Sequence, residues 1–582
     1  MAAVHRAGAC FQRCCVAFLA CVVAYGDTHP FGSRQGQARP LHDAGAGKSA
    51  APEGRPRAPL ARLRCPAPAD GTARGGAGAD PSLVEYGWTG PADAPPNLVS
   101  PAAKTTERSP NQRCPPFLRP PLQSERGEHY VTFEPDEGGF NNMRMAMETV
   151  LVFAAATGRT LVMPPRQRFY LLARAHEGTR NARSDKPGAD AEHDFLDFLD
   201  LSGLEAYGSC APRIISMQQF LREASDPSNA RRAGILRVPL PHALRPAVRS
   251  AQAWKRRPSE WAGKGKLFTY LRRAASLVLT WGNPEKFYIA IPAADPESGA
   301  AASLDPDSAL HAKRVASFKQ RDRKAAVYGA SVERARVVHF KMDFSTGSRL
   351  LCHFYAMIFF ASPRADALAK RLVRDGVRQH PVARCTAAAI VQRLRAEAGA
   401  AASYSALHIR RGDFQFDQAK MPIGKIVANV EKFLRKGELL YIATDEMDRS
   451  VFEPFVERGF KLRFLGDYMA PGGAALRLHL DSRISSSTGR PMPAPQVEAI
   501  NPNLLGFVDQ QVASRGRVFI GTWWSTFTGY IMRLRGYISP STAKQSWYFM
   551  QEYMNEMQRY QEPEGAGWWR EWPPAWTKID DI

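Results

Sequence analysis

The stretch Glu128–Pro165, EHYVTFEPDEGGFNNMRMAMETVLVFAAATGRTLVMPP, decides the fold. Its opening "HYVTFEP" is rich in β-branched and aromatic residues, and the "DEGG" that follows breaks the run. In "FNNMRMAMETVLVFAAATG", Met143, Met147, Val150, Leu151 and Ala154 recur along one helical face. Gly158 ends that helix, and "RTLVMPP" reads as a second strand closed by two prolines. Strand, glycine turn, helix and strand make a βαβ unit, which implies a parallel sheet.

Working outward, the pattern returns from about Ser403. "SYSALHI", "ELLYIATDE", "FKLRFLG" and "RVFIG" read as strands. They alternate with the helical segments "IGKIVANVEKFLRKG", "RSVFEPFVERG", "LLGFVDQQVASRG" and "TFTGYIMRLRGY". Such alternation predicts a second parallel sheet covered on both faces, hence a two-lobed α/β chain. The boundary is expected near Arg395–Ala402, giving lobes over 124–402 and 403–582. The middle, roughly Arg166–Ala402, shows no clear period. Within it, "HDFLDFLDL" carries acids three residues apart, which predicts an amphipathic helix rather than a metal cage.

At the N-terminus, His5, Arg6 and Arg13 precede the apolar run Cys14–Tyr25. That run is shorter than the ~20 residues of a comfortable membrane span, but it suits a signal sequence. Residues 1–25 are therefore read as a cytosolic tip and a signal, either a retained type II anchor or a cleaved peptide, directing the rest to the lumen of the endoplasmic reticulum or Golgi. Residues 26–123, dense in Gly, Pro and Ala without periodicity, read as a disordered stem. The net charge of +22 is densest over Arg231–Arg273. A secretory address argues against nucleic acid as the partner and leaves a solvated or membrane-facing surface, or a platform for an acidic acceptor. Five of the nine cysteines lie beyond the signal, with no zinc spacing. One or two disulfides and a leftover thiol are expected, with no pairing deducible. No N-x-S/T sequon occurs.

Ligands in open α/β sheets sit where strands lead into helices, so candidate site residues are sought there. Gly138, Gly139, Phe140, Asn141 and Asn142 form the turn into the first helix, where free N–H groups and the dipole favour an anion. His408, Ile409 and Arg410 end the "ALHI" strand, and a guanidinium fork suits a diphosphate. Arg411 is a further phosphate candidate. Ser525, Thr526 and Phe527 open the last helix, a second anion-binding terminus. Asp509 on the preceding helix could bind a base or ribose. "DPD" at Asp305–Asp307 lies in a Pro/Ala/Ser-rich stretch with no flanking strand, and Walker, GxGxxG and nucleophile motifs are absent. With arginine and helix dipoles to meet phosphate charge and no credible Asp-x-Asp, no metal is expected.

The motifs "GGFNNMR…GRTLVMPP", "HIRRGDF", "YIATDE" and "FVDQQVASRGRVFIGTWWSTFTGYIMRLRGY", in this order, resemble the GDP-fucose protein O-fucosyltransferase family in its broad sense, with its plant and algal members. The resemblance implies a GT-B fold of two Rossmann-like lobes facing across a cleft. It implies metal-independent, inverting transfer of L-fucose from GDP-fucose to a hydroxyl of a protein or glycan. Arg410 would contact the β-phosphate as the main catalytic side chain. His408, Ile409, Asp509, Ser525, Thr526 and Phe527 would bind the donor, and Gly138–Asn142 would close over it. One branch of the family carries a glutamate base two residues before the loop phenylalanine. Here that position is Gly138, and the nearest acid is Glu137. Two other readings stay open: a related transferase using another nucleotide sugar, such as a rhamnosyltransferase of cell-wall polysaccharide, or a catalytically silent sugar-binding protein.

Overall fold

The computed structural model describes residues 128–167, 169, 192–226, 234–255, 265–282, 286–291, 323–343, 348–360, 363–412, 414, 416–417, 420–468, 478–479, 497–498, 501–549, 558–559, 570–577 and 579–580. All belong to one compact unit, Arg55–Ile582. The signal, the stem and the "DPD" stretch lie outside the described residues. Among the described residues no helix is long and apolar enough to cross a membrane.

The opening stretch folds as its pattern predicts. Strand β1 (Tyr130–Phe133) leads into helix α1 (Phe140–Thr157) and strand β2 (Thr160–Met163), and the two strands pair in parallel. Gly158 caps the helix at φ 66°, a left-handed conformation that glycine reaches without strain. Strand β3 (Ile214–Ser216) is followed by helix α2 (Met217–Ala224), then helix α3 (Lys266–Ala274) and strand β4 (Leu277–Leu279). Strands β5 (Phe287–Ile291) and β6 (Lys324–Val327) precede β7 (Val337–Phe340) and β8 (Ile358–Phe360). The first sheet has the order β3-β2-β1-β7-β4, all parallel, and β6-β5-β8 form a separate small parallel sheet.

Helices α4 (Pro363–Gly376) and α5 (Pro381–Glu397) lead to strand β9 (Ser405–Ile409). Helix α6 (Ile423–Val430), strands β10 (Leu439–Thr444) and β11 (Lys461–Arg463), helix α7 (Leu505–Ser514), strand β12 (Phe519–Thr522), helix α8 (Thr526–Ile538) and strand β13 (Ser546–Phe549) follow. The second sheet runs β11-β10-β9-β12-β13 in parallel, with the short strand Gln558–Arg559 antiparallel at its edge.

Both sheets are buried on both faces, which explains why their strands read as nearly continuous apolar runs. In the first sheet Val131, Phe133 and Leu161 join one core cluster, while Tyr130 and Val162 join another with α2 and α3. In the second, Tyr441 and Ala443 face the first cluster, whereas Leu440 and Ile442 face a third with α6. The first cluster therefore passes through both sheets without a break. Inside it, Arg533 of α8 is fully buried between Glu148 of α1 and Glu571 near the C-terminus, with His353 Nδ1 2.6 Å from its Nη2. Burial alone would raise both carboxyls. The charge of Arg533, helped by Arg144 at Glu148 and by His353 at Glu571, outweighs it and holds them below their usual range.

The "HDFLDFLDL" segment is not an amphipathic helix. It forms a 3-10 turn, Phe195–Asp197, and a two-residue strand, Leu199–Asp200, antiparallel to Arg378–Gln379. The acids are spaced to meet partners from elsewhere rather than to line a helix. Asp194 caps the turn by accepting from Leu196 N–H at 2.7 Å. Asp194 and Asp197 share Arg166, and Asp200 pairs with Arg384. Phe195 and Phe198 turn into the core. Cys210 and Cys385 are both in disulfide linkage, and Cys352 is a buried free thiol, its pKa pushed up to about 12 by that burial.

Candidate active site

Strand β9 ends against β12 on one side and β10 on the other, so the side chains just past its end meet those of both neighbours. Thr522 of β12 stitches the end of β9: its hydroxyl donates to the His408 carbonyl at 3.1 Å and accepts the Arg410 N–H at 3.0 Å. On the other side Thr444 donates to the Ile409 carbonyl at 2.7 Å. The parallel register pairs Ile409 with Thr444, so the next residues along, Arg410 and Asp445, come out side by side. Their side chains form an ion pair. Asp445 also accepts the Arg411 N–H at 2.7 Å. Gly412 makes this fit possible, since a Cβ there would lie 2.3 Å from Asp445 Oδ2. Arg411 is drawn aside, its Nη1 donating to the Met421 carbonyl at 3.0 Å and its Nε 3.6 Å from Glu446.

His408 points to the same side of the strand as Arg410 but one pleat deeper. It is buried, with Nδ1 2.6 Å from the Thr528 hydroxyl and its ring 4.7 Å from that of Phe527. Burial, with the Arg410 charge beside it, pushes its pKa down to about 3, so the imidazole is neutral at physiological pH. Ile409 points into the core on the opposite face.

The last helix begins beside this strand end. Ser525 is its N-cap, its hydroxyl accepting the Phe527 N–H at 3.2 Å. Thr526 donates to Asn142 Oδ1 at 2.8 Å and so joins the start of α8 to the start of α1. The N-cap of α1 is Gly139, which provides no side-chain cap. Asn141 Oδ1 accepts from Gln510 of α7 at 3.3 Å, and Gln510 in turn accepts from Gln379 at 2.7 Å. The N–H of Gly138 donates to Asp136 at 2.7 Å, and Asp136 holds Arg349 in a two-pronged ion pair. Glu137 is exposed on this turn.

The structure thus brings His408, Arg410, Ser525, Thr526, Phe527, Gly138 and Asn142 into one connected group. Phe140 goes elsewhere, into an aromatic cluster with Phe198 at 4.8 Å and Phe507 at 5.2 Å. Asp509 is brought to Tyr441, whose hydroxyl donates to it. The residue keeps some accessible surface while its carboxyl is buried, and that burial pushes the pKa up to about 7 against the pull of the Tyr441 hydrogen bond. Sequence reading assigned no role to Asp445, Thr522, Thr528 or Tyr441, although Asp445 stands in the quoted "YIATDE". The strand register was the signal that could have found it. Among the described residues no group of three or more His, Cys, Asp or Glu is placed to hold a metal ion.

Two helix N-termini joined by a side-chain hydrogen bond, beside a strand that ends in arginine, define an α/β protein whose candidate site lies at its strand ends. Residues 130–462 match the family described as GDP-fucose protein O-fucosyltransferase, and the chain belongs to that family; it is a glycosyltransferase. The matched span includes Glu137–Asn142 and His408–Arg411 and stops before Asp509 and Ser525–Phe527. Similar solved structures include POFUT1 in complex with GDP-fucose, at 12% identity and a TM-score of 0.31 over 73% of this chain and 99% of that one. NodZ alpha-1,6-fucosyltransferase soaked with GDP-fucose is 14% identical, with a TM-score of 0.31 over 75% and 100% of the two chains. The fucosyltransferase NodZ from Bradyrhizobium is 14% identical, with a TM-score of 0.30 over 70% and 93%. No curated protein matches the chain.

Proposed function

We propose that the chain transfers L-fucose from GDP-fucose to a hydroxyl of a protein or glycan acceptor, with inversion at the anomeric carbon. It would do so as a GT-B enzyme in the lumen of the secretory pathway, held there by its N-terminal signal. Family membership supports the donor. The observation that carries the chemistry is the placement of Arg410 at the end of β9, beside the joined starts of α1 and α8. As GDP departs, negative charge builds on its β-phosphate. Arg410 and the N–H groups that begin α8 offer fixed positive charge at that position, each donor worth a few kcal/mol, about 10²–10³ in rate. His408, neutral and braced by Thr528, supports the strand end rather than moving a proton. Glu137 is the candidate on the glycine turn to take the proton of the acceptor hydroxyl. With arginine and helix termini meeting the leaving group, the reaction needs no divalent ion.

A panel of GDP- and UDP-sugars, tested for binding by calorimetry and for nucleotide release, checks the reading. Selective binding and turnover of GDP-fucose are expected. A preference for a UDP-sugar, or no nucleotide binding at all, would overturn it.

A further inference from the structure

The turn between β1 and α1 is fixed from behind. Asp136 is 2% exposed, and its carboxylate receives both Nε and Nη2 of Arg349, at 2.8 and 2.9 Å. The oxygen that takes Nη2 also accepts the Gly138 N–H at 2.7 Å. Gly138 in turn lies directly under the Asn142 amide: a Cβ on it would sit 2.2 Å from Asn142 Nδ2 and 2.8 Å from Asp136 Oδ1. Asn142 then accepts from Thr526 at the start of α8. One continuous chain of contacts therefore runs from Arg349, which follows β7 in the first sheet, to the first residue of the last helix beside the second. A two-pronged guanidinium–carboxylate pair fixes orientation as well as distance, which a lysine in the same place would not do.

We infer that Arg349 is a positioning residue for the transfer reaction: acting through Asp136 and Gly138, it sets the glycine turn that holds Asn142 on Thr526. In this role Arg349 acts on the turn and not on the donor. The effect on the rate comes from misplacing the turn, and displacements of about 1 Å near a reacting centre cost on the order of 100-fold. The kinetic part of this inference rests on the fucosyl-transfer reading; the structural part does not.

The test uses the full chain with Arg349→Gln, Arg349→Lys and Asp136→Asn. Hydrogen exchange of the backbone over residues 136–142 is measured alongside melting temperature, GDP affinity and the kcat and KM for GDP-fucose. In Arg349→Gln the exchange protection of 136–142 is expected to fall about tenfold or more, a local opening. The kcat should fall about 100-fold while GDP affinity stays near wild type; the melting temperature should drop in Arg349→Gln, which strands the buried Asp136 carboxylate, and less in Asp136→Asn, so kinetics are read well below the transition. Arg349→Lys, which keeps the charge and loses the fork, should recover only part of either quantity. Unchanged protection in both Arg349→Gln and Asp136→Asn would overturn the inference whatever the wild type transfers. Lost protection with unaltered kcat in an active enzyme would overturn it as well. A wild type that does not turn over GDP-fucose would instead count against the proposed function, and exchange alone would then decide the positioning role.

Discussion

Replacing Arg410 with alanine separates two effects that the ion pair with Asp445 entangles. The first is chemical: the variant loses the guanidinium proposed to meet the departing diphosphate. One fixed donor is worth about 3–4 kcal/mol at such a site. A fall in kcat of about 10³-fold is expected, with kcat/KM falling at least as far. The second is structural. Arg410 and Asp445 side chains are 18% and 25% exposed, so the alanine leaves a partly buried carboxylate unpaired. That orphaned charge costs about 1–3 kcal/mol of stability, and it also repels an incoming diphosphate. Asp445→Asn removes the charge while leaving an oxygen to accept the Arg411 N–H. The double variant Arg410→Ala/Asp445→Asn should therefore regain melting temperature and part of the GDP affinity but none of the lost kcat. Release of GDP from GDP-fucose into water provides the assay without knowledge of the acceptor. Retention of more than about a tenth of wild-type kcat in Arg410→Ala would refute the leaving-group role. So would a double variant that recovers turnover, because the loss would then come from the stranded aspartate.

Asp509 predicts an acid-side stability term. Its pKa rises to about 7 in the folded chain, so the folded state holds a proton that the unfolded state has released above its ordinary carboxyl range. The term is fully present below pH ~4 and is lost as pH rises through ~7, on the order of 4 kcal/mol in all; urea titrations of wild type and Asp509→Asn across that window should converge at acid pH and diverge toward neutrality in favour of the variant. His408 works in the opposite sense: with its pKa near 3, stability falls as pH drops from ~6.5 toward 3, and His408→Gln should flatten that acid limb. Gly412→Ala forces a methyl to within 2.3 Å of Asp445 and should displace Arg410 from its partner, cutting turnover about 100-fold and lowering the melting temperature as Arg410→Ala does. Treatment with EDTA should leave GDP release unchanged, and loss of activity restored by Mg²⁺ or Mn²⁺ would contradict the arginine-based mechanism.

Where glycine or proline punctuates a local period, the fold was legible. Gly158 separates α1 from β2 and Pro164 closes the first βαβ unit, and after Ser403 four strands alternate with four helices, three of the pairs over short connections. The position of β7 was not. "VVHF" is four apolar-leaning residues with no period of its own, and it pairs with β1 across some two hundred residues of chain. Nothing local specifies such a partner. The site divides in the same way. Arg410 and the start of α8 could be found because strand ends and helix starts are visible in one sequence. Asp445 becomes visible only when β9 and β10 are set in register. His408 and Arg410 alternate on one side of a strand, and the sequence cannot say that one lies under Thr528 while the other reaches the rim. Phe140 illustrates the limit: it opens α1 between glycines and asparagines, yet four other phenylalanines from three segments draw it inward.

The burial of Arg533 between Glu148 and Glu571 couples segments far apart in sequence. One guanidinium meets both carboxylates, so neither α1 nor the Glu571 segment can open without stranding a buried charge on α8. Hydrogen exchange of α1 and of residues 570–577 should therefore rise together when Arg533 is replaced by glutamine, rather than one segment fraying while the other holds.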